Sequence, residues 1–256
     1  MLLAIDVGNT QTVLGIYNND SLVHMWRIAT NVDHTSDELR VKLSVLLGAE
    51  GLEDAAIDGA ILASVVPALT HNWEKVCLRA FGVETLVVSS GTCGHLLNLS
   101  EGSFAELGAD RVADAVAAKA LYGSPVVVVD FGTATNIEVV DKDGTFVGGV
   151  IAPGVESSTR SLLSRAALLH AVELEDPGIA IGTNTTEAIK IGIVCGEAAR
   201  IDGLIDRIHE QLGYSTQVVA TGGLAHRIAP VSKCITEINL ELTLQGLRLI
   251  HRELSR

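Results

Sequence analysis

Two acidic turns of the same composition follow apolar strands at distant places in this sequence. The first, DVGNT, begins at Asp6, and the second, DFGTA, begins at Asp130. Glycine and small hydroxyl or amide residues allow backbone N–H groups to approach a phosphate closely. An aspartate at the same place would repel phosphate unless a cation lies between the two groups. The pair of turns therefore predicts a site for a nucleotide and its metal ion, with both aspartates close to the cation.

Each turn could also close a β-hairpin through an Asx-type turn without any ligand. We favour ligand binding because the two turns recur in the same register, and we expect phosphate loops at Gly8–Thr12 and Gly132–Thr135. A third glycine turn, TGG at 221–223, follows the apolar run VVA. It is a candidate for a wall beside the base or sugar of the nucleotide.

The likeness of the two acidic turns extends into an internal repeat. In both places an apolar strand, the acidic turn, a second strand, a polar turn and a third strand follow one another. The polar turns are NND at 18–20 and KDG at 142–144. A repeat of this length predicts two similar α/β halves. We place these halves at 1–117 and 118–256, with the seam near 115–124.

A further polar group, GADR at 108–111, precedes a predicted helix with apolar residues at intervals of four. Asp110 could be the N-cap of this helix, since aspartate is common at that position. It could instead be a general base, with Arg111 holding an anionic substrate where the helix dipole also attracts anions. The sequence leaves both interpretations open.

Two other motifs have simple structural explanations beside their functional ones. GGVIAPG at 148–154 is explained by packing or turn geometry, although its loop could line a cleft. IGTNT at 181–185 precedes a predicted helix, so Asn184 or Thr185 could cap that helix. A substrate contact from this segment is the alternative.

The composition limits the classes of partner. The chain has 256 residues, of which 48% are hydrophobic and 4% aromatic, as is typical of a globular α/β protein built from small aliphatic residues. Its formal net charge of −13 argues against nucleic acid or an anionic membrane as the main partner. An anionic ligand would therefore need backbone donors, a few well-placed Arg or Lys side chains, or metal cations.

The cysteines favour a reducing compartment. They are scattered without any metal-binding spacing and fit free thiols: Cys77, Cys93, Cys195 and Cys234. We see no signal peptide and no apolar run as long as a membrane span. We therefore expect a cytoplasmic protein.

Taken in order, the motifs resemble those of type III pantothenate kinases over the whole chain. They are DVGNT at 6–10, GADR at 108–111, DFGTAT at 130–135, GGVIAPG at 148–154, IGTNT at 181–185 and TGG at 221–223. The resemblance implies the actin-like ATPase superfamily fold, an α/β protein of two tandem ribonuclease H-like domains with a phosphate hairpin in each. It also implies a homodimer with the substrate site at the subunit interface.

The reaction implied by the resemblance is ATP-dependent phosphorylation of pantothenate to 4'-phosphopantothenate, the first step towards coenzyme A. It uses Mg²⁺ with ATP and a monovalent cation, K⁺ or NH4⁺. By the same resemblance, Asp110 is the proton acceptor and Asp130 binds the monovalent cation. Pantothenate contacts are implied for Gly108, Ala109, Asp110, Arg111 and Thr185. ATP contacts are implied for Asp6, Val7, Gly8, Asn9, Thr10, Gln11, Thr12, Val13 and Thr133.

The stretch just before GADR departs from the family pattern. Family members commonly carry Tyr and then Asn-Pro there, where this sequence has Glu101, Ser103 and Phe104. Asn136 also replaces a second Thr after DFGTAT. Two alternatives to a pantothenate kinase follow: a noncatalytic ATP-binding regulatory relative, and a kinase for another small hydroxy acid. The retained proton acceptor and hairpin aspartates favour the pantothenate kinase.

Overall fold

The computed structural model describes residues 1–52, 57–89, 91–92, 96–100, 107–165 and 172–255. The chain divides into two compact units, Met1–Ala117 with Leu242–Arg256, and Ala118–Glu241. Each unit combines strands of a β-sheet with α-helices. The predicted α/β class is thereby confirmed.

The first unit starts with three consecutive strands and then alternates strands with helices. Its elements are β1 (Leu2–Val7), β2 (Gln11–Asn18), β3 (Ser21–Ala29), α1 (Ser36–Ala49), β4 (Gly59–Ser64), α2 (Pro67–Phe81), β5 (Thr85–Val87), β6 (Asn98–Leu99) and α3 (Ala109–Tyr122). The boundary between the units falls within α3. The chain returns to the first unit with its terminal helix, numbered α8 (Leu242–Leu254).

The second unit repeats this arrangement. Its elements are β7 (Val126–Phe131), β8 (Ala134–Val140), β9 (Thr145–Pro153), α4 (Val155–Arg165), α5 (Thr185–Lys190), a π-helical turn (Ile191–Cys195), α6 (Gly196–Leu212), β10 (Gln217–Thr221), α7 (Ala225–Ile228), a 3-10 turn (Ala229–Val231) and β11 (Glu237–Ile238). The π-helical turn connects α5 to α6 without a break in the helical chain.

The corresponding strands of the two units have the same topology. Their order is β3-β2-β1-β4-β5 in the first unit and β9-β8-β7-β10-β11 in the second. The strands β1 and β7 each pair antiparallel with the next strand and parallel with a later one. Strands in this central position are covered on both faces, which explains the nearly continuous apolar runs LLAIDV and VVVVDF. The internal repeat of the sequence is thus a repeat of structure.

Local sequence signals set the ends of the first two helices. The Thr35 hydroxyl accepts the Glu38 N–H at 3.3 Å, and the Glu38 carboxylate accepts the Thr35 N–H at 2.8 Å, which together form a capping box before α1. Helix α2 begins at Pro67 and ends before Gly82, whose φ of 70° suits a left-handed C-cap. Both helices thus begin or end at residues that favour those positions.

The terminal helix α8 lies in the first unit, whereas the ranges drawn from the sequence place residues 242–256 in the second half. Two contacts with α3 hold it there. The Thr243 hydroxyl donates to the buried Asp114 carboxylate at 2.7 Å, and a Cβ on Gly246 would come within 2.6 Å of the Ala113 carbonyl carbon. These contacts join residues far apart in the chain, so helical periodicity alone could not reveal them.

Each unit has its own aliphatic core. In the first, β1, β2 and β4 pack with α1 and α2 around the fully buried Trp73. In the second, β7, β8 and β10 pack with α6 around Phe131 and Ile201. Within the described ranges, no helix combines the length and the hydropathy needed to cross a membrane.

Candidate active site

The first acidic turn joins β1 to β2 in a tight hairpin. Asp6, the second-last residue of β1, is partly buried and pairs with Val13 on β2. The Gly8 N–H donates to the Gln11 carbonyl at 3.0 Å, which leaves residues 9 and 10 exposed at the tip. The tip therefore presents small polar residues beside a carboxylate, as a site for a phosphate and a cation requires.

The residue after β3 fixes this tip. The Thr30 hydroxyl shares a hydrogen bond of 2.9 Å with the hydroxyl of Thr12, which is almost fully buried. The Thr30 N–H also donates to the Thr10 carbonyl at 2.9 Å. The first acidic turn is therefore held by the residue after β3 as well as by β1 and β2.

Asp110 lies in the first turn of α3, in the same unit as the first hairpin. The Gly108 carbonyl accepts the Val112 N–H at 3.1 Å, so the helix starts before Asp110 and Asp110 is not its N-cap. Its Oδ1 accepts the Arg111 N–H at 2.8 Å. Burial raises the pKa of the Asp110 carboxyl, against the opposite effect of the Arg111 N–H and guanidinium. A raised pKa suits a carboxylate that must accept a proton.

The start of α3 lies beside the end of β1. Val65, directly after β4, donates its N–H to the Val7 carbonyl at 3.0 Å. A Cβ on Gly108 would stand 3.6 Å from Cγ1 of Val65. The GADR motif and the first acidic turn therefore meet at the edge where β1 and β4 end, which is where α/β sheets commonly bind ligands.

Gly108 leaves room for the Asp110 carboxylate, and Gly108→Ala is expected to displace it. A Cβ there would stand 2.5 Å from Asp110 Oδ1, too close for the present rotamer. If Asp110 is the proton acceptor, kcat should fall about tenfold or more, because its carboxylate would be displaced. The free energy of unfolding should fall by no more than about 1 kcal/mol, because Ala is a poorer N-cap than Gly and one side chain can relieve the clash. Gly48→Ala, at an open position in α1, should leave kcat unchanged and raise the urea midpoint slightly, because Ala favours a helix more than Gly does.

The second acidic turn joins β7 to β8. Its Asp130 pairs with Asn136, and the Gly132 N–H donates to the Ala134 carbonyl at 3.0 Å. The Asp130 carboxylate lies between two glycines: a Cβ on Gly132 would stand 3.3 Å from Oδ2, and one on Gly222 would overlap Oδ1. The φ of Gly222 is 89°, a conformation that favours glycine. The TGG turn thus packs against the second hairpin.

The tip of the second hairpin rests on the end of the GGVIAPG motif. A Cβ on Gly154 would stand 2.7 Å from the Gly132 carbonyl oxygen and would overlap that of Thr133. The Ser157 hydroxyl donates to the Thr133 carbonyl at 3.0 Å. Close packing under the tip therefore accounts for Gly154, while the Thr133 side chain stays exposed.

A pocket of about 640 Å³ opens among α4, α5 and α6 of the second unit, and Thr185 lines it. The N-cap of α5 is Asn184, whose side chain accepts the Glu187 N–H at 3.0 Å. Thr185 is therefore not the cap, and its hydroxyl makes no hydrogen bond within the described part of the chain. The hydroxyl remains available to a ligand in the pocket.

A buried carboxylate joins this pocket to the second hairpin. Glu197, only 7% exposed, lines the pocket and accepts the Thr135 hydroxyl of β8 at 2.9 Å. Arg200 donates to the same carboxylate at 2.7 Å and to the Pro153 carbonyl at 3.0 Å. Sequence patterns did not reveal this network, because its members lie on three elements. It ties the ends of β8 and β9 to α6.

Breaking this network is expected to loosen the second unit. Glu197→Ala would leave the Arg200 guanidinium and the Thr135 hydroxyl without their shared acceptor, which should cost about 2 kcal/mol of unfolding free energy since Arg200 is partly exposed. Glu197→Gln keeps an acceptor oxygen and should cost less. Urea unfolding measures both. An equal loss in Glu210→Ala, at an exposed position of α6, would contradict a specific role for Glu197.

Comparison with known proteins identifies the family. A model of the type III pantothenate kinase family matches residues 2–207. A type III pantothenate kinase of Halalkalibacterium halodurans is 42% identical over 253 residues, which cover 99% of both chains. The chain belongs to the type III pantothenate kinase family. A type III pantothenate kinase of Rhodospirillum rubrum is 44% identical over 252 residues, 98% of each chain.

Solved structures place this type III pantothenate kinase family member in a wider fold class. Component A of (R)-2-hydroxyglutaryl-CoA dehydratase from Acidaminococcus fermentans matches 100% of this chain and 99% of its own, with a TM-score of 0.59 and 14% identity. A ROK family glucokinase from Streptomyces griseus matches 98% and 99%, with a TM-score of 0.52 and 12% identity. At such identities the likeness concerns the fold alone. The predicted actin-like fold of two ribonuclease H-like halves is confirmed.

The predicted site residues fall into two groups, which the structure describes separately. The first unit carries the segments 6–13 and 108–111, and the second carries Asp130, Thr133 and Thr185. The predictions on Glu101, Ser103 and Phe104 lie outside the described residues, as does Cys93.

The aspartates of the two hairpins suit a cation that brings other ligands with it. Within the described residues, no group of three or more His, Cys, Asp or Glu side chains could hold a metal ion by itself. A cation beside Asp6 or Asp130 would complete its shell with phosphate, backbone and water oxygens. Mg²⁺ is commonly bound in this way, through one or two carboxylates and substrate phosphates.

Proposed function

We propose that this protein transfers the γ-phosphoryl group of ATP to the primary hydroxyl of pantothenate, the first step towards coenzyme A. The observation that carries the proposal is the partly buried Asp110, at the start of α3 and beside the end of β1, in a chain of the type III pantothenate kinase family. A carboxylate with a raised pKa next to a phosphate turn suits the phosphorylation of an alcohol.

Asp110 orients the pantothenate hydroxyl and accepts its proton as the oxygen bonds to the γ-phosphorus. The bond from that phosphorus to the β–γ bridging oxygen breaks, and ADP leaves. The transition state of phosphoryl transfer is loose, so positioning and charge neutralisation supply most of the rate enhancement. Gly108–Arg111 contact pantothenate, and the Arg111 guanidinium attracts its carboxylate.

The two acidic hairpins bind ATP and its cations. The segment Asp6–Val13 holds the phosphates, and Thr133 contacts ATP from the second hairpin. Mg²⁺ accompanies ATP, and Asp130 binds K⁺ or NH4⁺. When bound, these cations neutralise phosphate charge, which an acidic chain cannot do with its own net charge of −13.

Thr185 contacts pantothenate, and the active form is a cytoplasmic homodimer with the substrate site at the subunit interface. Two observations support this part of the proposal. The Thr185 hydroxyl lines an apolar pocket and has no hydrogen bond within the described residues. Leu162 of the same pocket is 46% exposed, which leaves an apolar side chain that a ligand or a second subunit could cover.

The test is ADP release by purified protein with ATP and Mg²⁺, with and without pantothenate, in potassium or sodium buffer. We expect release that depends on pantothenate, is several-fold faster in potassium, and yields phosphopantothenate by mass spectrometry. Protein that binds an ATP analogue but releases no ADP with pantothenate would overturn the proposal. A panel of other small hydroxy acids would then separate a different kinase from a noncatalytic relative. Sedimentation gives the oligomeric state.

A further inference from the structure

The first hairpin must bind a polyanion although it has no cationic side chain of its own. The segment DVGNTQTV at 6–13 contains neither Lys nor Arg, and the whole chain is acidic. Phosphate sites in such proteins need a cation placed by another element. The pairing register of the first sheet shows which element can supply it.

Asp6 and Arg27 occupy one row across the first sheet. Asp6 on β1 pairs with Val13 on β2, and Val13 pairs in turn with Arg27 on β3. Residues paired in this way point to the same face of a sheet. Adjacent strands lie about 4.8 Å apart, so the Cα atoms of Asp6 and Arg27 are about 10 Å apart, with the half-buried Val13 between them.

Arg27 lies on the face of β3 that the core does not use. Its neighbours Trp26 and Ile28 pack against the aliphatic core on the opposite face. Arg27 is exposed, and within the described residues it has no ion pair or hydrogen bond with another side chain. An arginine in a structural ion pair would have a carboxylate partner here, so this guanidinium is available to a ligand.

The position of Arg27 along β3 also matches the hairpin. Gln11 pairs with Ala29, two residues further along, and Thr30 then bonds to the tip. Arg27 thus lies on the strand next to the segment 6–13, which the proposed function assigns to ATP. Its long side chain can lean over the small Ala29 or Val13 towards the tip.

We infer that Arg27 binds the polyphosphate of ATP and supplies the positive charge that the first hairpin lacks. The inference rests on the proposed function in that it takes ATP as the nucleotide. The guanidinium would form charge-assisted bonds to phosphate oxygens that are present before and during transfer. It would therefore strengthen ATP binding more than it accelerates the chemical step.

The test compares Arg27→Gln and Arg27→Lys with the parent chain, using calorimetry with a nonhydrolysable ATP analogue and Mg²⁺. We expect the Kd of the analogue to rise at least about tenfold in Arg27→Gln and less in Arg27→Lys. The KM for ATP should rise in parallel with little change in kcat. The difference from the parent should shrink at high salt. Thermal unfolding should be unchanged, because the side chain is exposed.

Arg40→Gln is the matched control. Arg40 is also exposed, on α1 of the same unit, and forms no ion pair within the described ranges. Its loss changes the net charge equally and should leave the Kd unchanged. Equal Kd values for the parent and Arg27→Gln, or equal increases in Arg27→Gln and Arg40→Gln, would overturn the inference.

The same measurements distinguish this inference from the proposed function. A parent chain that binds the analogue through Arg27 but does not phosphorylate pantothenate would refute the proposed function alone. A parent chain that phosphorylates pantothenate with an unchanged KM for ATP in Arg27→Gln would refute the inference alone. A parent chain that does not bind the analogue at all would overturn both.

Discussion

Asp110→Asn is expected to lower kcat by a factor of about 100 to 10,000, the range that general base catalysis commonly contributes. Asn keeps the shape of the side chain and can still accept the Arg111 N–H, so the start of α3 should not change. It cannot accept the proton of the substrate hydroxyl. Single-turnover phosphorylation of pantothenate measures the effect. A kcat within a few-fold of the parent value would show that Asp110 is not the base.

The same substitution is expected to stabilise the protein at neutral pH. Burial raises the pKa of Asp110, so the folded state favours the neutral carboxyl more than the unfolded state does. That preference stabilises the fold fully below the unfolded pKa, about 4, and is lost as the pH rises through the folded pKa. At pH 7 the ionised carboxylate therefore lowers the free energy of unfolding, and Asn removes this destabilisation. The urea midpoint of Asp110→Asn should exceed that of the parent by more at pH 7 than near pH 4.

Asp206→Asn provides the control for this pH dependence. Asp206 is exposed on α6 of the second unit. The variant should keep its activity, and its stability relative to the parent should hardly vary with pH. In the parent, the acid limb of kcat/KM should lie above the ordinary pKa of aspartate, because Asp110 must be ionised to act.

The sequence was most informative where short segments decide the structure. The apolar strands, the acidic turns and the caps of the helices are local patterns, and their repetition revealed two similar halves. The part that could not be predicted depends on contacts between distant residues. Periodicity gives the helix α8 but not its bond to Asp114 in the first unit, and the register that brings Arg27 into the row of Asp6 exists only once the strands pair.

The structure also separated alternatives that the sequence left open. Asp110 and Thr185 could each have been helix caps, but Gly108 and Asn184 occupy those positions. Both side chains are thereby left for other roles. The glycines of the TGG and GGVIAPG motifs, by contrast, have packing roles beneath the second hairpin. Glu197 was missed entirely, because a single Glu in an amphipathic helix is ordinarily a surface residue.

Gly222→Ala is expected to displace Asp130 in the second hairpin. A Cβ there would overlap Asp130 Oδ1 and stand 2.7 Å from the backbone nitrogen of Phe131, so the aspartate and its strand would have to move. The φ of 89° adds the strain that a side chain meets in this region. If Asp130 binds the monovalent cation, kcat should fall about 100-fold or more and activation by potassium over sodium should disappear.

Gly213→Ala separates backbone strain from displacement of Asp130. Gly213 has a similar φ of 78° at the end of α6, but a Cβ there would meet no atom within 4 Å. This variant should lose about 1 kcal/mol of unfolding free energy and keep its activation by potassium. The two variants should therefore differ mainly in cation response, since only Gly222 lies against the aspartate. If Gly222→Ala retained the potassium activation of the parent, Asp130 would not be the cation ligand, and the glycine would serve folding alone.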